Sequence, residues 1–217
     1  MLDDDESVSE AIAALLQTAE FRVETFATSE AFLARPPAAE AACLVLDIEL
    51  PGVTGLELQQ RFAESHSDVP IVFVTGHADV VRSVQAMKAG AVEFLTKPFS
   101  PEALLSGVER GLARSHEIRE QQAERKGLLE RYAKLSPRER QVMELVAAGL
   151  TNKEAAQKLG TRVITVKMQR GKMMRKMQAR TLADLVRMAT KLGLGQNLDE
   201  VAAPPPAKAR RLLPKSR

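Results

Sequence analysis

In the first half of the chain, short apolar runs that end on a polar residue alternate with stretches whose apolar positions recur every three or four residues. Cys43-Leu44-Val45-Leu46 runs into Asp47, with Pro51-Gly52 close behind. A continuous apolar run bounded by turn residues predicts a strand covered on both faces. Ile71-Val72-Phe73-Val74 ends likewise on Thr75, and the stretch from Val92 through Phe94 and Leu95 ends on Lys97-Pro98. Phe21 to Phe26 alternates apolar with polar and predicts a further strand. Between the strands, Val8, Ala11, Ile12, Leu15, Leu16 and Ala19 form one face of a helix over residues 7–19. A short helix follows from Ser29 as its cap to Leu33, stopped by Pro36-Pro37. Residues 55–65 and 79–89 predict two more, the second with Val80, Val81, Val84 and Met87 turned inward and Gly90 ending it. Strands alternating with helices imply an α/β fold with a doubly wound parallel sheet. Its strand ends bring Asp47, Thr75 and Lys97 to one rim, where open sheets of this kind hold their ligands. From its own stretch, Asp47 reads equally as a chemical group or as the cap of the next helix.

With Ser100 as cap and Pro101 at the first position, residues 101–132 predict one long helix. Leu104, Leu105, Val108 and Leu112 form its inner face. Beyond them the apolar positions thin to Ile118, Leu128, Leu129 and Tyr132, so residues 116–132 read as a solvated helical linker. Helix punctuation then becomes dense. Ser136-Pro137-Arg138-Glu139 and Thr151-Asn152-Lys153-Glu154 are capping boxes, and their helices are closed by Gly149 and Gly160. Two further helices, over 163–177 and 182–192, complete an all-α helix-turn-helix pattern spanning 133–192. Val166, Met173 and Met177 share one face of the 163–177 helix, the expected core stripe. Thr165, Lys167, Met168, Gln169, Arg170, Gly171 and Lys172 occupy the other faces. Gly171 costs about 1 kcal/mol relative to Ala in mid-helix. It reads either as room for a partner to approach closely or as a tolerated imperfection. Residues 193–217, with Pro204-Pro205-Pro206 and scattered charge, predict a disordered basic tail.

Charge changes this picture. The net charge of +3 over 217 residues conceals a split. Residues 1–115 hold 8 Lys/Arg against 18 Asp/Glu, whereas residues 133–192 hold 14 against 4. An acidic part joined to a basic part predicts two domains, the second with a polyanionic partner. The single cysteine, Cys43, excludes an internal disulfide and fits a reducing compartment. No apolar run approaches the roughly 20 residues of a membrane span, and the N-terminus has no signal pattern, so a cytoplasmic location is expected. Asp3-Asp4-Asp5 precedes the first helix. Clustered carboxylates cannot all stay ionised without a cation, which points to a hard, oxygen-bound ion such as Mg²⁺. A carboxylate can accept a phosphoryl group as a mixed anhydride, with the metal, Lys97 and the Thr75 hydroxyl holding its oxygens.

Taken as a set, Asp3-Asp4-Asp5-Glu6-Ser7, Leu46-Asp47, Pro51-Gly52, Gly55-Leu56, Thr75-Gly76-His77 and Lys97-Pro98-Phe99 resemble the response regulators of bacterial two-component systems, of the FixJ-like kind. The resemblance covers residues 3 to 112. It implies that residues 1–115 are a receiver with a flavodoxin-like sheet and that Asp47 is the phosphoacceptor. Asp4 is then a direct Mg²⁺ ligand, Asp3 acts through water or just outside the shell, and Glu49 contributes its backbone carbonyl. Thr75 and Lys97 read the phosphoryl group, Phe94 takes the aromatic switch position, and the Lys97–Pro98 bond is cis. The second part, through Leu135-Ser136-Pro137-Arg138-Glu139-Arg140, Gly149-Leu150-Thr151-Asn152-Lys153 and Thr165-Val166-Lys167, is similar to the LuxR-type DNA-binding domain. Residues 163–177 are then the recognition helix, with Lys167 and Met168 facing the major groove. Thr165, Gln169, Arg170 and Lys172 are the other DNA-binding candidates. Gln169 in place of the usual histidine, and Arg162-Val163 in place of a serine-type helix start, bear on which site is preferred. The implied function is a transcriptional regulator and not an enzyme. A sensor histidine kinase phosphorylates Asp47, and two receivers pair through the helix over 79–89, the strand ending at Lys97 and the helix from residue 101. The homodimer binds double-stranded promoter DNA, with RNA polymerase as a further partner.

One departure matters. The family has an apolar first strand before its acidic pair, and here only Met1-Leu2 precede Asp3. The expectation is therefore that this strand is missing beside the 43–47 strand. Its two neighbours would lose ladder partners, each unpaired buried backbone group costing roughly 1–3 kcal/mol, and the native protein would begin upstream. Two rival functions stand beside the first. One is a DNA-binding regulator independent of phosphorylation, with a degenerate receiver. The other is an aspartyl-phosphate phosphotransferase or phosphatase, in which Glu49, two residues after Asp47, would be the acid/base group.

Overall fold

The computed structural model describes residues 1–36, 38, 40–64, 69–77 and 79–194. The chain divides into two compact units, Met1–Gln122 and Ala123–Arg217. In the first, β1 (Leu44–Asp47), β2 (Ile71–Thr75) and β3 (Glu93–Thr96) form a parallel sheet in the order β1-β2-β3. Asp47 pairs in register with Val74, and Thr75 with Thr96. β1 and β2 are buried along their whole length, because helices cover both faces and alternate residues serve each. Val45, Val72 and Val74 pack with α1 (Glu6–Thr18) and the start of α5 (Pro101–Ala133) through Ile12, Leu16, Leu104 and Val108. Leu44, Leu46, Ile71 and Phe73 face α2 (Ser29–Ala34), α3 (Gly55–Glu64) and α4 (Val80–Lys88) through Phe32, Leu58, Phe62 and Ala86. α5 lies close against β1: a Cβ at Gly111 would overlap the Cys43 sulfur. Burial there pushes the Cys43 thiol up to about 12, so it is inert as a nucleophile at neutral pH.

The position of the expected missing strand holds one bridging residue and no strand among the described residues. Leu2 is fully buried and lies parallel between Phe26 and Leu46. Its N–H donates to the Val45 carbonyl and its carbonyl accepts from the Asp47 N–H, both at 2.9 Å. On the other side, Phe26 N–H donates to the Met1 carbonyl at 2.9 Å, and the Phe26 carbonyl accepts from Asp3 N–H at 3.2 Å. Leu2 thus supplies the ladder partners of Val45 and Asp47, but no strand forms at residues 1–3, so the first strand is truncated as its length implies and the lost pairing falls on the Phe21–Phe26 side. The expected strand over Phe21–Phe26 is not formed. Only Phe26 pairs as a strand residue, because the segment beside it offers a single bridging position.

Two local expectations are also corrected. Thr28, not Ser29, caps α2: Thr28 has extended backbone and its hydroxyl accepts the Ala31 N–H at 3.2 Å, while Ser29 is already helical. On α4, Val80, Val81, Val84 and Met87 face outward, with 78%, 63%, 45% and 45% exposure, and Ala86 is the buried residue. Gln59 of α3 explains the inversion. Its buried amide donates to the Ala86 and Ala89 carbonyls at 3.3 and 3.2 Å, drawing the end of α4 so close that only a small side chain fits beneath it. The expected end of α3 at Ser65 lies outside the described residues, as does the basic tail from residue 195 onward.

In the second unit, α6 (Pro137–Ala147), α7 (Asn152–Lys158), α8 (Val163–Met177) and α9 (Leu182–Lys191) close around Val142, Met143, Val166, Met173, Met177 and Leu185. Val166, Met173 and Met177 form the buried stripe of α8, as its spacing predicts. Capping boxes start α6, α7 and α9, through Ser136–Glu139, Thr151–Glu154 and Thr181–Asp184. Glu139 is buried, which alone would raise its carboxyl. The Lys176 ammonium at 2.6 Å and the Ser136 N–H outweigh this and hold it below its ordinary range. The Thr151 and Thr181 backbone N–H groups and hydroxyls hold Glu154 and Asp184 low in the same way.

A carboxyl depressed on folding binds fewer protons folded than unfolded, so its contribution is complete above its ordinary value of 4.5 for Glu and 3.8 for Asp. That contribution is lost as pH falls through the depressed folded values. Urea titrations of the full chain, read from amide NMR signals of α6 and α8, are expected to show the midpoint falling from pH 5 to pH 3. The fall should be shallower in Glu139→Gln; equal pH dependence in both proteins would remove Glu139 from the account.

Candidate functional site

The carboxyl ends of β1, β2 and β3 deliver Asp47, Thr75 and Lys97 to one rim, and Asp3 enters from the Met1–Asp3 segment beside them. Asp47 and Asp3 are both buried. The Lys97 ammonium donates to Asp47 Oδ2 at 2.7 Å and to Asp3 Oδ2 at 2.9 Å. Asp47 Oδ1 accepts the Glu49 N–H at 2.9 Å, and Asp3 Oδ1 accepts the Asp5 N–H at 3.0 Å. Burial raises the Asp3 carboxyl above its ordinary 3.8, with the Lys97 bond partly offsetting it. For Lys97, burial would lower the ammonium, but the bonds it donates to Asp47 and Asp3 prevail and hold it above its ordinary 10.5. Two carboxylates share one cation, so the rim is short of positive charge.

Thr75 is fully buried, and its hydroxyl is held by the turn that follows. It accepts the His77 N–H at 3.2 Å and donates to the His77 carbonyl at 3.4 Å. The Lys97 N–H donates to the Thr75 carbonyl at 2.7 Å, and the Lys97–Pro98 bond is cis. Phe94 is half-buried on β3, its ring tilted against Phe73 with centroids 6.4 Å apart. Asp4 is exposed and makes no hydrogen bond to any described residue. The Glu49 side chain turns away from Asp47 toward α4, with its carboxylate 3.3 Å from His77 Nδ1 and 3.7 Å from Arg82 Nη1. These contacts were not foreseen from the sequence, since nothing in its local pattern links residue 49 to residue 82.

On α8, Lys167, Met168 and Lys172 are exposed, while Thr165, Gln169 and Arg170 are half-buried. Arg170 donates to the Asn152 side chain of α7 at 3.2 Å. Ile164 and Arg175 were not singled out from the sequence, yet both are exposed, Ile164 at 70%. Spacing alone could have found them: Ile164, Met168 and Arg175 follow one another at four- and seven-residue intervals, opposite the Val166–Met173–Met177 stripe.

Residues 1–109 match the family model described as the response regulator receiver domain, and residues 133–189 match that of bacterial regulatory proteins, luxR family. The chain is 42% identical over 200 residues to nodulation protein W of Bradyrhizobium diazoefficiens, spanning 92% of this chain and 88% of that one. It is 39% identical over 194 residues to the transcriptional regulatory protein FixJ of the same organism, spanning 89% and 95%. The chain belongs to the FixJ-like, LuxR-type response regulators. It is a DNA-binding transcription regulator with a receiver domain for phosphorylation. Among solved structures, response regulator StyR superposes with a TM-score of 0.75 at 43% identity, over 88% of this chain and 96% of that one. Full-length FixJ from B. japonicum superposes with a TM-score of 0.53 at 40% identity, over 88% and 95%. Of these relatives, FixJ is a transcriptional regulatory protein and StyR a response regulator.

Receiver domains generally bind Mg²⁺ for phosphorylation, and the donors of this response regulator suit such an ion. They are all oxygen, and Asp3 and Asp47 share a single ammonium with the exposed Asp4 next in sequence. Among the described residues, no three His, Cys, Asp or Glu side chains are gathered closely enough to hold an ion by side chains alone.

Proposed function

We propose that Asp47 of this response regulator is the phosphoacceptor and that its phosphorylation by a histidine kinase controls dimerisation and promoter binding in the cytoplasm. One observation carries the reading: buried Asp47 shares the Lys97 ammonium with Asp3 at the carboxyl ends of the strands. Asp47 Oδ forms the bond to phosphorus as the bond to the kinase imidazole breaks, and the imidazole leaves with the electron pair. Lys97 then meets a phosphoryl oxygen, and the Thr75 hydroxyl exchanges the His77 backbone for another. Asp4, Asp47 and the Glu49 carbonyl, with Asp3 beside them, would hold Mg²⁺, which would supply positive charge against the phosphoryl oxygens.

The added charge of roughly −1.5 to −2 falls where two loops meet α4. Asp47 holds Glu49 N–H, Glu49 reaches Arg82 and His77, and Thr75 holds His77. Movement of Thr75 and an inward turn of Phe94 change the face formed by α4, β3 and α5, whose exposed Val80, Val81, Val84 and Met87 pair two receivers. The dimer presents two copies of α8, with Thr165, Lys167, Met168, Gln169, Arg170 and Lys172 toward DNA, to half-sites about 34 Å apart. Recruitment of RNA polymerase is the expected consequence.

The rival phosphotransferase reading needs Glu49 as acid/base group beside the nucleophile, whereas its carboxylate faces His77 and Arg82. Incubation of the full chain with acetyl phosphate and Mg²⁺ is expected to give one hydroxylamine-labile phosphate per chain by intact mass, and none with EDTA. Absence of label under both conditions would favour the regulator independent of phosphorylation.

A further inference from the structure

We infer that Ile164, Met168 and Gly171 of α8 form an apolar strip that reads thymine methyl groups in the major groove. The inference rests on α8 being the recognition helix. The three residues are spaced so as to share one helical face, and that face lies opposite the buried Val166, Met173 and Met177. Ile164 is 70% and Met168 52% exposed. Ile164 is the second residue of α8, and the N-terminal residues of a recognition helix are those that meet base edges.

Neither Ile164 nor Met168 contributes to the core of this unit, so both are free to meet a partner. Gly171 fits the same account. A Cβ at that position would meet nothing within 4 Å, so nothing in the protein requires the glycine. Its backbone is bare on the side where Ile164 and Met168 project, which lets a base edge come closer than a side chain would allow.

The surroundings decide what covers the strip. Lys167, Lys172 and Arg175 border it, all exposed, so an occupant must be anionic around an apolar centre. A nucleic-acid major groove has that form: phosphates line its edges, and the thymine C5-methyl is the apolar group that base pairs present on its floor. The strip thus makes thymine, rather than a hydrogen-bonding pattern, the feature that α8 recognises at these positions.

The test starts from the tightest duplex that the phosphorylated full chain selects from a random-sequence pool. Each thymine in turn is replaced by deoxyuridine, which removes only the C5-methyl. At the contacted positions the affinity of the wild-type protein is expected to fall about 4-fold per methyl, the worth of one buried methyl group. Ile164→Ala and Met168→Ala should bind thymine and uracil duplexes equally at the position each has lost. Lys167→Ala should weaken thymine and uracil duplexes by the same factor, which separates the strip from the helix that carries it. A wild-type protein indifferent to uracil at every position would overturn the strip. So would an Ile164→Ala variant that keeps the full thymine preference. A Lys167→Ala variant with unchanged affinity for every duplex would remove α8 from the groove, and the strip with it.

Discussion

Asp47→Asn is expected to abolish phosphodonor-driven dimerisation of the full chain while leaving the receiver folded. An asparagine can keep the Glu49 N–H bond through its carbonyl oxygen, and Lys97 keeps Asp3 as a partner. The half-buried ammonium therefore does not lose its last counter-charge, whose removal would cost more than one hydrogen bond. What the amide cannot do is form the mixed anhydride. Light scattering with acetyl phosphate and Mg²⁺ should show the wild-type protein moving from monomer to dimer and the variant remaining monomeric. A variant that dimerises as fully as the wild type would place the acceptor elsewhere.

Gly55→Ala should be nearly as damaging, for a steric reason. Gly55 opens α3 directly against β1: an added Cβ would fall well inside contact with the Asp47 carbonyl oxygen and at 3.0 Å from the Ile48 Cα. Both are backbone atoms, so no flexible side chain can yield. The peptide that must move carries Asp47, and the same Cβ would press the Phe73 ring at 3.1 Å, which in turn packs against Phe94. A loss of about 3 kcal/mol, the upper part of the range for overpacking, is expected from urea unfolding followed at β1 amides. The rate of labelling by acetyl phosphate should fall with it. Wild-type stability together with wild-type labelling would show that the β1–α3 junction has slack.

The sequence made the rim legible because each strand ends its apolar run on a residue too polar to continue it. Asp47, Thr75 and Lys97 mark three adjacent strand ends in that way, and parallel pairing then leaves them little choice of position. Two helix starts of the second unit are nearly as plain, since Ser136 and Thr151 declare themselves with Glu139 and Glu154 three residues on. What failed has a common cause. Periodicity says which residues share a face, not which way the face turns. Apolar faces usually turn inward, so the spacing points the Val80–Met87 face to the core, whereas the Gln59 bonds to the Ala86 and Ala89 carbonyls are long-range contacts with no local trace. The Met1–Asp3 segment is as short in the sheet as its length implies, a single bridge at Leu2; that this bridge falls beside Asp47 is a matter of register, which length does not give. The turning of Glu49 toward Arg82 is likewise a matter of tertiary geometry alone.

The fastening of α8 has a consequence for how DNA is met. Lys176 is bonded to buried Glu139, and Arg170 to Asn152, whereas Lys167, Lys172 and Arg175 have no partner among the described residues. The first two cations hold the helix still, so its ordering entropy is settled on folding rather than at the moment of contact. The other three can each meet a phosphate without surrendering an internal bond, and each such meeting releases condensed counterions. Per protomer, α8 should therefore set a salt exponent of about −3, at roughly −0.9 for each phosphate neutralised: part of the helix's charge serves posture, and the rest serves the polyanion.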